Sequence, residues 1–160
     1  MQNVVIFDGT ILENINYVNN DVSRQKIISI CKKLKLHNKI IKLENGYDTF
    51  ITSDTDLLST GEKQLLNFAR VMVENPEIII LDEATASLSY NSEMLIRNAI
   101  EEITKNKISF IIAHRLSTIK ECSQILYLDK GKIIEQGKHK ELIDKRGNYF
   151  KLLTEDNKVK

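Results

Sequence analysis

A chain of 160 residues, 42% hydrophobic and 28% charged, is long enough for one ordinary domain with its own core. Lys and Arg total 23 and Asp and Glu 22, a net charge of +1 that argues against a nucleic-acid binder and against an acidic or basic tail. No apolar run nears the roughly 20 residues of a membrane-spanning helix, Met1-Gln2-Asn3-Val4-Val5 does not open a signal peptide, and Cys31 and Cys122 form neither a metal spacing nor a disulfide framework, so the expected compartment is reduced and cytosolic.

In chain order, residues 3–7 read as a short apolar strand and Gly9-Thr10 as a turn. Asn19-Asn20-Asp21 then cap a helix running to about residue 36, with Ile27, Ile28, Cys31 and Leu34 at helical spacing. A shorter helix over 37–43 stops at Glu44-Asn45-Gly46, and 47–57 is loop-like. The first third is thus mostly helical. Residues 59–74 form a helix that ends before Pro76, the only proline. The isoleucine-rich run 77–81 reads as a strand buried on both faces of a parallel sheet. A helix over 91–105 turns Leu95, Ile96, Ala99, Ile100 and Ile103 inward, and 108–113 is a second buried strand. A short helix over 117–122 follows. Residues 124–128 and 132–136 flank the hairpin signal Asp129-Lys130-Gly131, and helices over 139–145 and 148–154 finish the chain. Strand, helix, strand, helix, strand is an α/β pattern with a parallel sheet.

Three stretches carry candidate chemistry, and each has a plain structural reading beside it. Ile78 to Leu81 lead into Asp82-Glu83, two carboxylates beyond the carboxyl end of a strand, where open α/β sheets bind ligands. Four aliphatics before an Asp resemble a Walker B motif, whose Asp holds Mg²⁺; an acid that simply enters a turn fits as well. Ser59 and Glu62 form a capping box, while the same glycine-containing helix start presents free N–H groups to an anion. His114 follows the second strand, as Glu83 follows the first, so both would project at one sheet edge; a lone histidine is more often structural.

Together these motifs resemble the ATP-binding domain of ABC transporters, exporter type. Leu58-Ser59-Thr60-Gly61-Glu62-Lys63-Gln64 is similar to the signature motif, and Ile78 to Glu83 to Walker B with its glutamate. Ala84-Thr85-Ala86-Ser87-Leu88-Ser89 is similar to the D-loop and Ile112-Ala113-His114-Arg115-Leu116-Ser117-Thr118 to the H-loop. Gln2 with Phe7-Asp8-Gly9-Thr10-Ile11-Leu12-Glu13-Asn14-Ile15 resembles the Q-loop and its sequel, and Gly46-Tyr47-Asp48-Thr49 and Asp129 to Gly137 match exporter patterns. The resemblance implies a P-loop NTPase-like α/β core with an α-helical subdomain. Residues 1–8 would be the Q-loop strand, 9–74 the helical subdomain, and 75–160 the later part of the ATPase core.

The implied cofactors are ATP and Mg²⁺. Asp82 would position Mg²⁺ through water, Gln2 would bind nucleotide and Mg²⁺ as a sensor of the γ-phosphate or the metal coupled to the membrane domain, Glu83 would polarise the attacking water, and His114 would contact the γ-phosphate. Ser59, Thr60, Gly61 and Glu62, with Ser87, would face nucleotide bound by a second ABC nucleotide-binding domain. The remaining partner would be an exporter's transmembrane domain, at the cytoplasmic face of a bacterial membrane.

No P-loop, G-x-x-x-x-G-K-[ST], occurs in these 160 residues: of six glycines only Gly131 and Gly137 precede a lysine, and Ile133 and His139 follow. The expectation is a portion of the domain starting at the Q-loop and inactive alone, or else a non-catalytic module that pairs with another ABC domain. A generic α/β phosphate-binding fold would make the motif order a coincidence. Three departures from the family stand out. Thr60 and Glu62 replace a glycine and a glutamine of the signature, Ser89 replaces the D-loop Asp, and Thr52-Ser53-Asp54-Thr55 lacks Glu-Arg-Gly. Glu62 would place a negative charge near phosphate unless it turns back onto its own helix cap. Such departures fit a heterodimeric exporter with unequal sites.

Overall fold

Regular structure begins at Gly9 in the computed structural model, which describes residues 4–17, 22–82, 90–112 and 119–156. Contacts divide the chain into two units, Met1–Ile112 and Ala113–Lys160.

In the first unit, β1 (Gly9–Thr10) pairs antiparallel with β2 (Phe50–Ile51). Thr10 closes a capping box with Glu13 at the start of α1 (Ile11–Ile15), and Ile11 and Ile15, four residues apart, are both fully buried. Ser23 caps α2 (Arg24–Lys33), which buries Ile27, Ile30 and Cys31. The cap at Ser23, whose Oγ accepts the Lys26 N–H, replaces the expected start near 19–21, positions outside the described residues. Next come α3 (His37–Ile40) and a 3₁₀ turn, Gly46–Asp48. The turn is pinned from two sides. Asp48 takes a bidentate pair from Arg24 at 2.7 Å, and the buried Tyr47 hydroxyl meets His37 Nδ1 at 3.0 Å.

The helix α4 (Thr60–Glu74) presents Leu65, Leu66, Phe68, Ala69 and Val73 to the core. Asn75, left-handed at φ 51°, ends it, and Pro76 bars its continuation. Then β3 (Ile78–Asp82) and β4 (Ile108–Ile112) run parallel in register Ile78 to Ile108 through Asp82 to Ile112, bridged by α5 (Tyr90–Thr104). Ile96, Ala99, Ile100 and Ile103 of α5 are buried with Ile79 and Leu81, while Leu95 is exposed.

Two strand expectations are corrected. Residues 4–7 form no strand, and Gly9-Thr10 is a strand instead of a turn. The reason is local: Asn14 Oδ1 accepts the Phe7 N–H and Asn14 Nδ2 donates to the Phe7 carbonyl, so a side chain takes the bonds a sheet neighbour would make. Nor are β3 and β4 buried on both faces. Ile79 is 4% exposed but Ile78 and Ile80 are 56% and 70%, because the helices pack on one face and no described residue covers the other.

The second unit is a hairpin with two helices. β5 (Ile125–Asp129) and β6 (Lys132–Gly137) pair antiparallel around Lys130-Gly131, whose φ values of 47° and 74° give the turn twist that matches a strand pair. α6 (His139–Lys145) and α7 (Asn148–Asp156) supply Leu142, Tyr149 and Leu153 to a small core with Ile125. The Glu135 carboxylate on β6 accepts the N–H groups of Asn148 and Tyr149, capping α7 from across the hairpin. Of the helix expected over 117–122, residues 117 and 118 lie outside the described residues and Ile119–Cys122 is a turn closed by the Cys122 N–H on the Ile119 carbonyl.

Candidate functional site

Leu58 is buried in the core, which anchors the loop immediately before α4 and fixes where the helix starts. Ser59 and Thr60 are exposed beyond that anchor and Gly61 is buried behind them. The capping box read from sequence is formed. Ser59 Oγ accepts the Glu62 N–H at 3.3 Å, and Glu62 Oε2 accepts the Ser59 N–H at 2.8 Å. Glu62 therefore folds back onto its own helix, and Lys39 Nζ of α3 stands 3.7 Å from the same carboxylate.

Asp82 is the last residue of β3 and is exposed, at the carboxyl end of the parallel pair. An open groove of about 240 Å³ runs between α4 and β3, lined by Gln64, Asn67 and Val71 of the helix and Leu81 and Asp82 of the strand. The helix headed by Ser59 and the strand ended by Asp82 thus share one depression. An exposed carboxylate oxygen suits a hard cation such as Mg²⁺, which keeps most of its waters and takes one or two carboxylates. Among the described residues no group of three His, Cys, Asp or Glu side chains converges, so Asp82 would supply a single ligand. Gln2, Glu83, Ser87 and His114 lie outside the described residues.

Sequence reasoning passed over Arg70 and Asn14. Arg70 on α4 donates from Nε to the Asn14 carbonyl at 2.6 Å, from Nη1 to the Val5 carbonyl at 2.6 Å, and from Nη2 to Asn14 Oδ1 at 2.8 Å. The buried Asn14 side chain also bonds Phe7 on both backbone groups and the Thr10 carbonyl. Partners 56 residues apart leave no short-range pattern; the available signal was a polar pair among the apolar positions of two helices. Burial lowers the pKa of Arg70 from its ordinary value.

The sequence profile of the ABC transporter family matches residues 1–86. The chain is 43% identical over 152 residues to MG015, named as an ABC transporter ATP-binding protein, of Mycoplasma genitalium, covering 95% of this chain and 26% of that protein. It is 39% identical to a fatty acid ABC transporter ATP-binding/permease protein of Mycobacterium bovis, covering 95% of this chain and 24% of that one. Among solved structures, a bacterial Atm1-family ABC exporter with ATP bound matches with a TM-score of 0.85 and 36% identity, over 97% of this chain and 27% of the exporter chain. The chain spans about a quarter of the length of these relatives.

Proposed function

Since the chain belongs to the ABC transporter family, with the α/β fold of its exporter-type ATPase core, we propose that it serves as the signature and Walker B portion of an exporter's ATP-hydrolysing domain. The reading is carried by the placement of two motifs on observed elements: an exposed Ser59-Thr60 turn heads a fifteen-residue helix, and Asp82 ends a strand in a parallel pair.

In this reading the exposed Ser59 side chain and the first-turn N–H groups face the γ-phosphate of ATP bound by a second nucleotide-binding domain. The positive end of the α4 dipole favours an anion there. Asp82, with Gln2, would hold Mg²⁺, and the ion when bound would supply charge neutralisation to the phosphates. Glu83 accepts a proton from the attacking water, His114 contacts the γ-phosphate, and Ser87 approaches the partner domain. Phosphoryl transfer of this kind depends mainly on positioning and charge compensation. The transmembrane partner, at the cytoplasmic face, takes up the motion as transport. By residues 1–8, 9–74 and 75–160, the chain divides in this reading into a Q-loop segment, which forms no strand over 4–7, a helical subdomain and the later ATPase core. No helix of the described residues is long and apolar enough to cross a membrane.

A second reading, a pairing module without its own turnover, is favoured by the lack of a P-loop in these 160 residues. Each lost oxyanion-type donor costs on the order of 10²-fold or more in rate, so the 160 residues alone are expected to turn over no ATP. The test mixes the chain with the ATP-binding domain of the M. genitalium relative, with and without MgATP, and measures association by sedimentation. Association that requires MgATP and is lost in Ser59→Arg supports the engagement of the signature turn. MgATP-independent association, or none, overturns it. If the mixed pair turns over more ATP than the relative's domain alone and Ser59→Arg removes the increase, the chain contributes to hydrolysis at the shared site; no increase leaves the pairing module.

A further inference from the structure

Helix α4 and the segment from Val4 to Tyr17 meet through one guanidinium. Arg70 lies ten residues beyond Thr60, so roughly 15 Å of helix separates it from the signature turn. Its three donors fan onto three acceptors at 2.6 to 2.8 Å, all belonging to Val5 and Asn14. Arg70 Cζ also lies 5.0 Å from the centroid of the Phe7 ring, which stacks on Tyr17 with centroids 4.1 Å apart. No carboxylate pairs with it among the described residues.

That bonding is unusual for a half-buried cation. A guanidinium retained without an anion must recover its lost hydration from neutral acceptors. The acceptors here are ones that the backbone leaves free. Asn14 is the next-to-last residue of α1, whose final carbonyls have no intrahelical donor, and Val5 lies in a segment without a strand partner. Asn14 in turn spends its amide on Phe7 and Thr10, so its side chain has one orientation only. Lysine, with a single nitrogen, could not reach the three acceptors in one plane.

We propose that Arg70 is a positioning residue that joins the Val5–Asn14 backbone rigidly to α4, so that a displacement of that segment is delivered to the Ser59–Glu62 turn. The segment begins three residues after Gln2 in the chain, so Arg70 ties the stretch after one candidate nucleotide-sensing position to the helix that carries another. The functional weight of this link rests on the nucleotide-facing role proposed for Ser59; the mechanical link itself does not.

A coupling cycle read by hydrogen exchange tests it without nucleotide, so its failure is distinguishable from failure of the ATP reading. Thr10→Ala removes the cap of α1 and loosens the segment without touching Arg70. In the wild-type background, exchange at the Lys63 amide, bonded to the Ser59 carbonyl at 2.8 Å, is expected to rise about threefold or more. In Arg70→Lys the same Thr10→Ala change should raise exchange across Ile11–Ile15 and leave Lys63 unmoved. Arg70→Gln serves as the second background should the lysine variant fail to fold. A purely structural Arg70 would lower protection everywhere and leave the response of Lys63 to Thr10→Ala intact in both backgrounds. That result, or no response of Lys63 in the wild-type background, overturns the proposal.

Discussion

The Glu62 carboxylate accepts the backbone N–H of Ser59 at 2.8 Å, so the negative charge that departs from the family's glutamine is turned inward onto its own helix cap. Lys39, 3.7 Å away, offsets part of that charge. The contact gives the turn two competing uses, because the carboxylate that closes the helix cap occupies the Ser59 N–H beside the exposed Ser59 and Thr60. Since that N–H belongs to the same helix start that would face phosphate, Glu62 and an incoming anion contend for one electropositive turn.

Glu62→Gln should therefore separate cap from charge. A glutamine serves the capping box as well as a glutamate, and the Lys39 pair is partly exposed and contributes little. Thermal stability should shift by less than about 0.5 kcal/mol. MgATP-dependent association with the M. genitalium domain should tighten, by roughly fivefold for about 1 kcal/mol of relieved repulsion at a helix N-terminus. Unchanged affinity with unchanged stability would mean that Glu62 does not oppose nucleotide at all.

Cys31 is fully buried beneath Tyr47, and burial pushes its thiol up to about 11. A thiol that ionises near 9 in the unfolded chain but near 11 in the folded one leaves the folded state holding an extra proton between those values. Stability must then fall as pH rises through that window, by roughly 1 kcal/mol at pH 10. Burial raises the Tyr47 hydroxyl as well and extends the loss in the same direction. Urea midpoints at pH 8 and pH 10 check this, and Cys31→Ala should flatten the difference. A disulfide reagent at pH 8 should label Cys122, which is half-buried, well before Cys31; equal labelling rates in native buffer would contradict the buried thiol.

In the hairpin unit, Gly147 sits against the Glu135 carboxylate that caps α7: a Cβ on Gly147 would lie 2.5 Å from Glu135 Oε1. Gly147→Ala should force that carboxylate off the Asn148 and Tyr149 amides. The lost charge-assisted bonds amount to about 1–2 kcal/mol of local stability. Glu135→Ala should cost a similar amount, and the double variant no more than either single one, since both remove the same cap. Exchange at the Leu153 amide reads this unit alone. Additive losses would show that Gly147 matters for another reason.

How far these features could be read in advance depended on the range of the interaction. The Ser59–Glu62 box, the Asn75-Pro76 stop and the Lys130-Gly131 turn are each decided by residues within about four positions, and each formed as expected. Asp82 likewise sits at a strand end because five consecutive residues, Ile78 to Asp82, set the strand. Arg70 with Asn14, Lys39 with Glu62 and Glu135 with α7 join positions 13 to 56 residues apart, where no period or cap signals the pairing. The one-sided burial of β3 was illegible for a different reason. Ile78 and Ile79 are chemically identical, and only what packs above and below the strand decides which of them is covered.

The last prediction concerns that uncovered side. Ile78 and Ile80 of β3 and Ile108, Phe110 and Ile112 of β4 are all more than half exposed, and the parallel register places them side by side on one face. Soluble monomers rarely leave a contiguous apolar surface of this kind open to water, and the outer edges of this pair, which no further strand among the described residues covers, add unpaired N–H and C=O groups. The 160 residues purified alone should therefore self-associate as concentration rises. Ile80→Lys with Phe110→Lys places two like charges on adjacent strands of that face, in register with one another. Because both positions are exposed, the pair should reduce association steeply while α4 and α5, packed on the opposite face, keep their protection from exchange. Sedimentation across a hundredfold concentration range decides it. A wild-type chain that stays monomeric throughout would mean that the face is covered in solution, and the lysine pair would then unfold the unit.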